Sequence, residues 1–302
     1  MKATHCNYCP IFSLYPDDGG LLASLEDAVD VSAPIVDFVD DQGHRHQLWR
    51  ILDPAVHRQV TTAMQDKRLF IADGHHRYET ALNFRTHLKQ TDPSFSNRHP
   101  ANYVLMYLCS MSDPGLIILP AHRLLKAVSA EDLQQAMAKI RIYFEVAEHP
   151  FTADDRRRVE QDFMAALSDG GSRQRMGIYA HQSPVFYLLT LKAGVMDQLF
   201  SDELDVSLRL LDVTVLTRLM FMKILGFDQI RLDNEQLIGY ASTAEKAFQS
   251  IDTGTYDVAF ILNPTRIEQV QEVAQKGLIM PRKSTYFYPK VKSGLVMNTL
   301  KE

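Results

Sequence analysis

The segment Asp73-Gly74-His75-His76-Arg77-Tyr78-Glu79 puts two imidazoles, one guanidinium and two carboxylates within seven residues of a 302-residue chain. Imidazole titrates near neutrality and can move a proton. A guanidinium presents a planar fork that suits a phosphate or carboxylate. Asp73, at the end of an apolar run, can cap a helix, hold a cation or orient a substrate hydroxyl. On a helix, positions i and i+4 align, so His75 is expected to face Glu79 and His76 to face Thr80, which argues against one metal held by both histidines. The competing reading is structural: Asp73 caps, the histidines meet backbone carbonyls, and Arg77 pairs with Glu79 on a solvated face.

The flanking residues say how these groups are held. Leu69-Phe70-Ile71-Ala72 reads as a short buried strand, Asp73-Gly74 as a tight turn, and His76 to Phe84 as a helix. A strand that passes through glycine into a helix start turns unpaired amides and the positive helix end toward one point, a seat for an anion. A second polar group follows the strand Leu116 to Leu119, where His122 and Arg123 lie just past what reads as a hairpin of Tyr103 to Cys109 with Leu116 to Leu119, turned at Ser112-Asp113-Pro114-Gly115. A third lies in Met280 to Lys290, where Lys283, Ser284 and Thr285 offer a cation and two hydroxyls, the inventory of a phosphate site. No glycine-rich lead makes it a Walker loop, and a packed terminal strand with exposed lysines is the alternative.

The scaffold expected around them is α+β: a mixed sheet with hairpins and interspersed helices, and a strand-turn-helix anion site. Pro16 to Gly20 is a turn by composition. Ile35 to Val39 and His46 to Ile51 form a hairpin, and Asp53-Pro54 opens a helix. Ser129-Ala130-Glu131-Asp132 and Ser242-Thr243-Ala244-Glu245 resemble capping boxes, and Val213, Leu216, Met220 and Ile224 mark one face of a long apolar helix, a core or homo-oligomer contact. Three regions are expected: 1–126 bearing the histidine motif, a helix and strand module over 127–193, and 194–302 folding back on the first.

Composition narrows the function classes. At 46% apolar content the chain can bury a sizeable core, and a net charge of −5 argues against non-specific nucleic-acid binding, leaving one basic stretch from Arg282 to Lys292. No run approaches the ~18 apolar residues of a membrane span, and none near Met1 has signal-peptide character. Three cysteines fit a reducing compartment, so the cytoplasm is expected. Cys6-x-x-Cys9 beside His5 lacks a second ligand pair at usable spacing, so no metal site is assigned.

Ile71-Ala72-Asp73-Gly74-His75-His76-Arg77-Tyr78-Glu79-Thr80-Ala81-Leu82 also resembles the signature of the family called domain of unknown function 1015. Asn102 to Leu105, Leu119 to Leu124, Leu211-Asp212-Val213 and Met280 to Lys290 match in the same order. The wider resemblance is to ParB-type nucleotide-binding domains, sulfiredoxin and a free-serine kinase. It implies a nucleotide (ATP or ADP) with magnesium, and phosphoryl transfer or phosphate-ester chemistry on a small hydroxylated metabolite such as serine. Asp73, His75, His76 and Arg77 would be catalytic, with Gly74, His122, Arg123, Lys283, Ser284 and Thr285 binding the cofactor. In that scheme Arg77 and Lys283 neutralise phosphate charge, His75 or His76 moves a proton, Asp73 orients the hydroxyl or holds magnesium, and Lys283 to Thr285 fold back within reach of His75 to Arg77. Members of this family usually carry about a hundred further residues, a small domain, before the segment matching Pro10 to Tyr15. The resemblance therefore implies a shortened form lacking a catalytic acid. Two alternatives stand beside it: a noncatalytic nucleotide-binding or regulatory module, and a metal-dependent hydrolase using His75, His76, Asp73 and Glu79.

Overall fold

The computed structural model describes residues 1–302 except Asp18, Gly19, Ser172, Arg282 and Glu302, with Ala130 described by its backbone alone. The turn expected over Pro16 to Gly20 and the basic stretch expected to begin at Arg282 fall partly outside those residues. The chain divides into two compact units, Met1–Ile117 with Pro289–Glu302, and Ile118–Tyr288. These boundaries differ from the expected 126/127 and 193/194, because strands from all three expected regions join one sheet in the second unit.

In the first unit a three-stranded sheet carries the histidine motif. Strand β1 (Ile11–Tyr15) is buried at all five positions and lies between β2 (Phe70–Asp73) and β3 (Met106–Ser110). It runs antiparallel to β2 and parallel to β3. Met106–Ser110 is thus no arm of a hairpin, as the apolar run and following turn residues implied. Ile117–Leu119 belongs to a different sheet, since a parallel partner far off in sequence outcompetes the local one. Opposite Phe12 and Ser13 the register skips Ala72, a bulge that re-aims Asp73 at the strand's end. Helix α1 (His75–Thr91) follows, and its Phe84 and Leu88 bury against Ala101 and Leu300. The hairpin Val36–Val39 with Arg45–Leu48 forms as expected, as does the helix Pro54–Met64, whose Asp53 carboxylate accepts the Ala55 N–H at 2.7 Å.

The second unit is built on a six-stranded, fully antiparallel sheet. Its strands are β4 (His122–Leu125), β5 (Phe144–Pro150), β6 (Arg175–Ala180), β7 (Val185–Leu191), β8 (Ile238–Ala241) and β9 (Val258–Leu262), in the order β8-β4-β9-β6-β7-β5. Alternate residues feed two cores. Leu125, Ile178 and Phe260 pack with Ile140 of α2 (Ala130–Tyr143) and with Leu216 and Met220, while Leu124, Tyr179 and Ile261 pack with Phe163 of α3 (Arg156–Ser168) and Phe248 of α4 (Ala244–Asp252). Both faces are covered, which is why β9 reads as an unbroken apolar run. The capping box read at Ser129 forms, Ser129 and Asp132 exchanging side-chain to backbone bonds, whereas the one read at Ser242-Thr243-Ala244-Glu245 is displaced by one residue: Thr243 is the cap and accepts the Lys246 N–H.

The apolar segment after Asp212 is a π-helix over Val215–Ile224 rather than one long α-helix, with Leu225 N–H reaching back five residues to the Met220 carbonyl at 2.9 Å. Along it Val215, Leu216, Leu219, Met220, Phe221 and Ile224 are all buried. Such segments are rare and concentrate at functional sites.

Gly177 shows how closely the second core is packed. It sits in β6 between Leu188 and Ile261, and an added Cβ would stand 2.3 Å from the Phe163 Cζ atom. Gly177→Ala is expected to cost about 1–3 kcal/mol, read as a lower urea midpoint with an unchanged slope of free energy against denaturant.

Candidate functional site

Gly74 sets the geometry of the histidine motif. Its φ of +99° lies in a region that costs an L-residue strain, and an added Cβ would stand 2.7 Å from Arg77 Nε and 2.9 Å from Arg77 Cζ. The missing side chain therefore lets the chain leave β2 and enter α1 while the Arg77 guanidinium lies back against the turn. The first intrahelical bond runs from Tyr78 N–H to the Gly74 carbonyl at 3.0 Å, so the amides of His75, His76 and Arg77 precede the helical ladder and point out of the helix end.

Arg77 Nη2 donates to Asp73 Oδ2 at 2.5 Å, and Nη1 to the Pro10 carbonyl at 2.5 Å. Lys290 Nζ lies 3.8 Å from the other Asp73 oxygen. Two cations and one helix end thus surround one carboxylate, leaving the corner locally positive. It is open to solvent: the Arg77 side chain is 34% exposed and that of His76 88%, and His75 is exposed. The pairing differs from expectation. His76 Nδ1 meets Glu79 at 3.3 Å, one turn of i,i+3, while the Thr80 hydroxyl donates to the His76 carbonyl. Arg77 turns to Asp73 rather than Glu79, because the glycine turn brings that carboxylate under it. Asp73 does not cap α1; Gly74 occupies the cap position with no side chain to offer.

The other five expected site residues lie in the second unit. His122 and Arg123 are not on a loop past a hairpin but in β4, both buried. As strand neighbours they point to opposite faces of the sheet and so cannot grip one ligand together. His122 Nδ1 accepts the Leu262 N–H at 3.1 Å, and burial with the neighbouring Arg123 charge pushes its pKa down to about 4. Arg123 is opposite Tyr240 of β8, its guanidinium 4.6 Å from the ring centre, and it donates to the Ala121 carbonyl and, at 2.8 Å, to the Lys283 carbonyl. Lys283 pairs with Glu235 at 3.0 Å and also lies 4.0 Å from the Tyr240 ring centre. The Ser284 hydroxyl donates to the Pro281 carbonyl, and the Ser284 carbonyl accepts from Thr265; Thr285 is half-buried. The member of the C-terminal block that reaches Asp73 is Lys290, whose position in a Tyr-Pro-Lys run carries no local signal for that role. Tyr240 and Thr214, which line a cavity beside Arg123 and Lys283, were likewise silent in the sequence.

Residues 1–214 match the family described as a protein of unknown function (DUF1015), and the chain belongs to it. No curated protein matches. Among solved structures it is similar to a conserved hypothetical protein from Pyrococcus furiosus at 13% identity over 77% of this chain and 75% of that one, with a TM-score of 0.38. It is also similar to a free serine kinase in complex with AMP, at 13% identity over 94% and 88% of the two chains with a TM-score of 0.37. A mutant of that kinase in complex with ADP matches at 13% identity over 94% and 89%, with a TM-score of 0.36. Among the described residues no helix is long and apolar enough to cross a membrane.

Two groups in the second unit should shape its acid response in opposite directions. The folded pKa of His122, about 4, lies below its ordinary 6.5, so its contribution is complete above pH 6.5 and is lost as pH falls toward 4. Burial raises the Asp212 carboxyl from 3.8 to about 7 against the pull of Asn263 and Arg266, so its contribution is complete below about 3.8 and is lost as pH rises toward 7. Each effect is on the order of 3–4 kcal/mol by linkage, and between pH 4 and 6.5 they oppose. The wild type should show a nearly flat unfolding midpoint over that window. His122→Asn, whose amide oxygen can still accept the Leu262 N–H, should lose stability with rising pH, and Asp212→Asn should gain it, both followed by urea denaturation at fixed ionic strength.

Proposed function

We propose that the first unit binds a phosphate group at the β2–α1 corner and uses it in phosphoryl transfer or phosphate-ester chemistry on a small hydroxylated metabolite. The observation that carries this reading is the convergence at Gly74 of three helix-end amides, the Arg77 fork and, through Asp73, Lys290. Amides and cations fixed before the ligand arrives stabilise transferring phosphate charge with little reorganisation. In that reaction Arg77 holds the phosphate, one of the exposed imidazoles of His75 and His76 takes the hydroxyl proton, and Asp73 keeps Arg77 aimed. A nucleotide (ATP or ADP) is the phosphate carrier to assay and serine the first acceptor. The three cysteines are free thiols, in keeping with the cytoplasmic setting we assign.

Magnesium does not fit the donors at this corner, because Asp73 already lies against two cations, one on each carboxylate oxygen. Among the described residues no three His, Cys, Asp or Glu side chains gather as an all-protein metal site requires. No step is routed through a metal, and the same grouping removes support from a metal-dependent hydrolase.

A second reading, a noncatalytic nucleotide-binding module, is favoured by the engagement of Asp73 with Arg77 and Lys290, which leaves that carboxylate poorly placed to orient a substrate hydroxyl. Titration calorimetry with ADP and with inorganic phosphate, alongside an assay for phosphoserine, separates the two. Arg77→Ala should weaken ADP binding by about ten- to a hundredfold, the scale of a charge-assisted hydrogen bond. His75→Ala with His76→Ala should leave binding intact and abolish turnover in the enzyme reading. Binding without any turnover in the wild type selects the module, and wild-type ADP affinity in Arg77→Ala rejects the corner as the site.

A further inference from the structure

The second unit has a hollow of about 320 Å³ where the loop after β4, helix α2, the end of the π-helix and the short helix Gln229–Leu232 meet. Hydrocarbon lines its inner part: Ala136 and Ile224 are buried, and Leu225, Phe227 and Leu237 are half-buried. Its exposed lining is charged. Lys126 comes from the loop, Lys139 from α2 and Arg231 from the short helix, so three separate elements each deliver one cation to the same opening.

The protein does not neutralise these cations. Among the described residues none of the three is in an ion pair. Lys126 instead lies over the Tyr256 ring, 4.9 Å from its centre, and the Arg231 guanidinium over the Phe227 ring at 5.6 Å. An aromatic face attracts a cation and leaves its charge in place. The acids nearby are committed to the backbone. Asp132, the one carboxylate among the described lining residues, closes the α2 cap, its Oδ2 accepting the Ser129 N–H at 3.0 Å and the Ser129 hydroxyl at 2.6 Å. Those bonds hold its carboxyl below the usual range, so it is ionised at neutral pH. Asp257 and Asp228 accept the Val128 and Arg231 N–H groups at 3.2 Å and 2.8 Å. Three cations against one carboxylate leave the described lining with an excess of two positive charges.

The loop that carries Lys126 is also strained. Ala127 has a φ of +59°, a left-handed conformation that is costly for a residue with a Cβ. It is pinned on both sides, the Lys126 N–H donating to the Leu237 carbonyl at 2.9 Å and the Val128 N–H to Asp257. Strain imposed by the surrounding fold gathers at ligand sites, and here it fixes the backbone from which Lys126 reaches the hollow.

We infer that this hollow binds a small phosphate monoester with an apolar group, its phosphate on Lys126, Lys139 and Arg231 and its hydrocarbon against Phe227 and Leu225. Charge selects the class: a phosphate monoester carries close to two negative charges at neutral pH and so matches the excess, whereas a monocarboxylate supplies one. Arginine meets phosphate with its fork and lysine as a point charge. A hollow of this volume is about one Debye length across, roughly 8 Å at physiological ionic strength, so the three cations act on one bound group. The site lies wholly in the second unit and shares no residue with the β2–α1 corner.

Phenyl phosphate is the probe, with benzoate as its singly charged counterpart and inorganic phosphate as its headgroup alone. Each is titrated by calorimetry into the full chain carrying Arg77→Ala, so that the corner in the first unit does not report. Phenyl phosphate should bind saturably at one site per chain, at least tenfold more tightly than either control, and should weaken as salt is raised. Lys139→Gln removes an exposed cation that is in no ion pair, so the urea midpoint should hold while affinity falls about tenfold, the scale of one charge-assisted hydrogen bond. Arg231→Gln should act in the same direction. Asp132→Asn keeps an oxygen for the Ser129 N–H and removes the opposing charge, so it should tighten binding about two- to fivefold. Absence of saturable phenyl phosphate binding, equal binding of benzoate, unchanged affinity in both Lys139→Gln and Arg231→Gln, or binding no tighter in Asp132→Asn at an unchanged urea midpoint would each overturn the assignment.

Discussion

The first unit's chemistry depends on an atom that is missing, the Cβ of residue 74. With φ at +99° and the Arg77 guanidinium occupying the space a side chain would take, the turn is possible only for glycine. From that single constraint follow the sharp change from strand to helix, the outward amides of α1, and the closeness of Arg77 to Asp73. An arginine left to its own rotamers would extend into solvent and lose about 2 kcal/mol of side-chain freedom on binding a ligand. Held by Asp73 and the Pro10 carbonyl, it has already given much of that up. The ion pair itself, partly exposed, contributes little to stability; its value is in orientation.

The second unit meets a different constraint. An antiparallel sheet covered on both faces must bury every residue of its central strands, and β4 contains His122 and Arg123 in a four-residue strand with no exposed position. Each is accommodated in a separate way. The histidine is neutral and spends one nitrogen on the backbone of β9. The arginine stays charged, and is satisfied by carbonyls and an aromatic face rather than moved to the surface.

Much of the secondary structure was legible because its causes are local. The caps at Asp53 and Ser129, the hairpin around Asp40 and Gly43, and the apolar runs of β6, β7 and β9 all follow from neighbours within a few residues. What escaped depends on partners far along the chain. Met106–Ser110 looked like a hairpin arm because nothing within it reveals that Ile11–Tyr15 lies alongside. His122 and Arg123 looked like loop residues because their polarity hides a strand whose other two members are leucines. The π-helix kept an α-like apolar pattern, since either winding buries the same residues. Of the site, the motif and its helix-end geometry were readable, and its internal pairing was not: the choice of Asp73 over Glu79 by Arg77 is made by the turn's backbone, and Lys290 arrives from more than two hundred residues away.

Net charge was the weakest guide to what the protein binds. A formal charge of −5 spread over this chain suggests repulsion of anions, yet the β2–α1 corner, where Arg77 and Lys290 flank Asp73, is locally positive. The two facts are compatible because the reach of surface charge is short. At physiological ionic strength the Debye length is about 8 Å, so acids elsewhere on the surface are largely screened at this corner, while Arg77 and Lys290 both lie within that distance of Asp73. The overall acidity then serves to slow non-specific association with polyanions such as nucleic acid, which engage many surface charges at once, whereas a small anion engages only the few groups next to it.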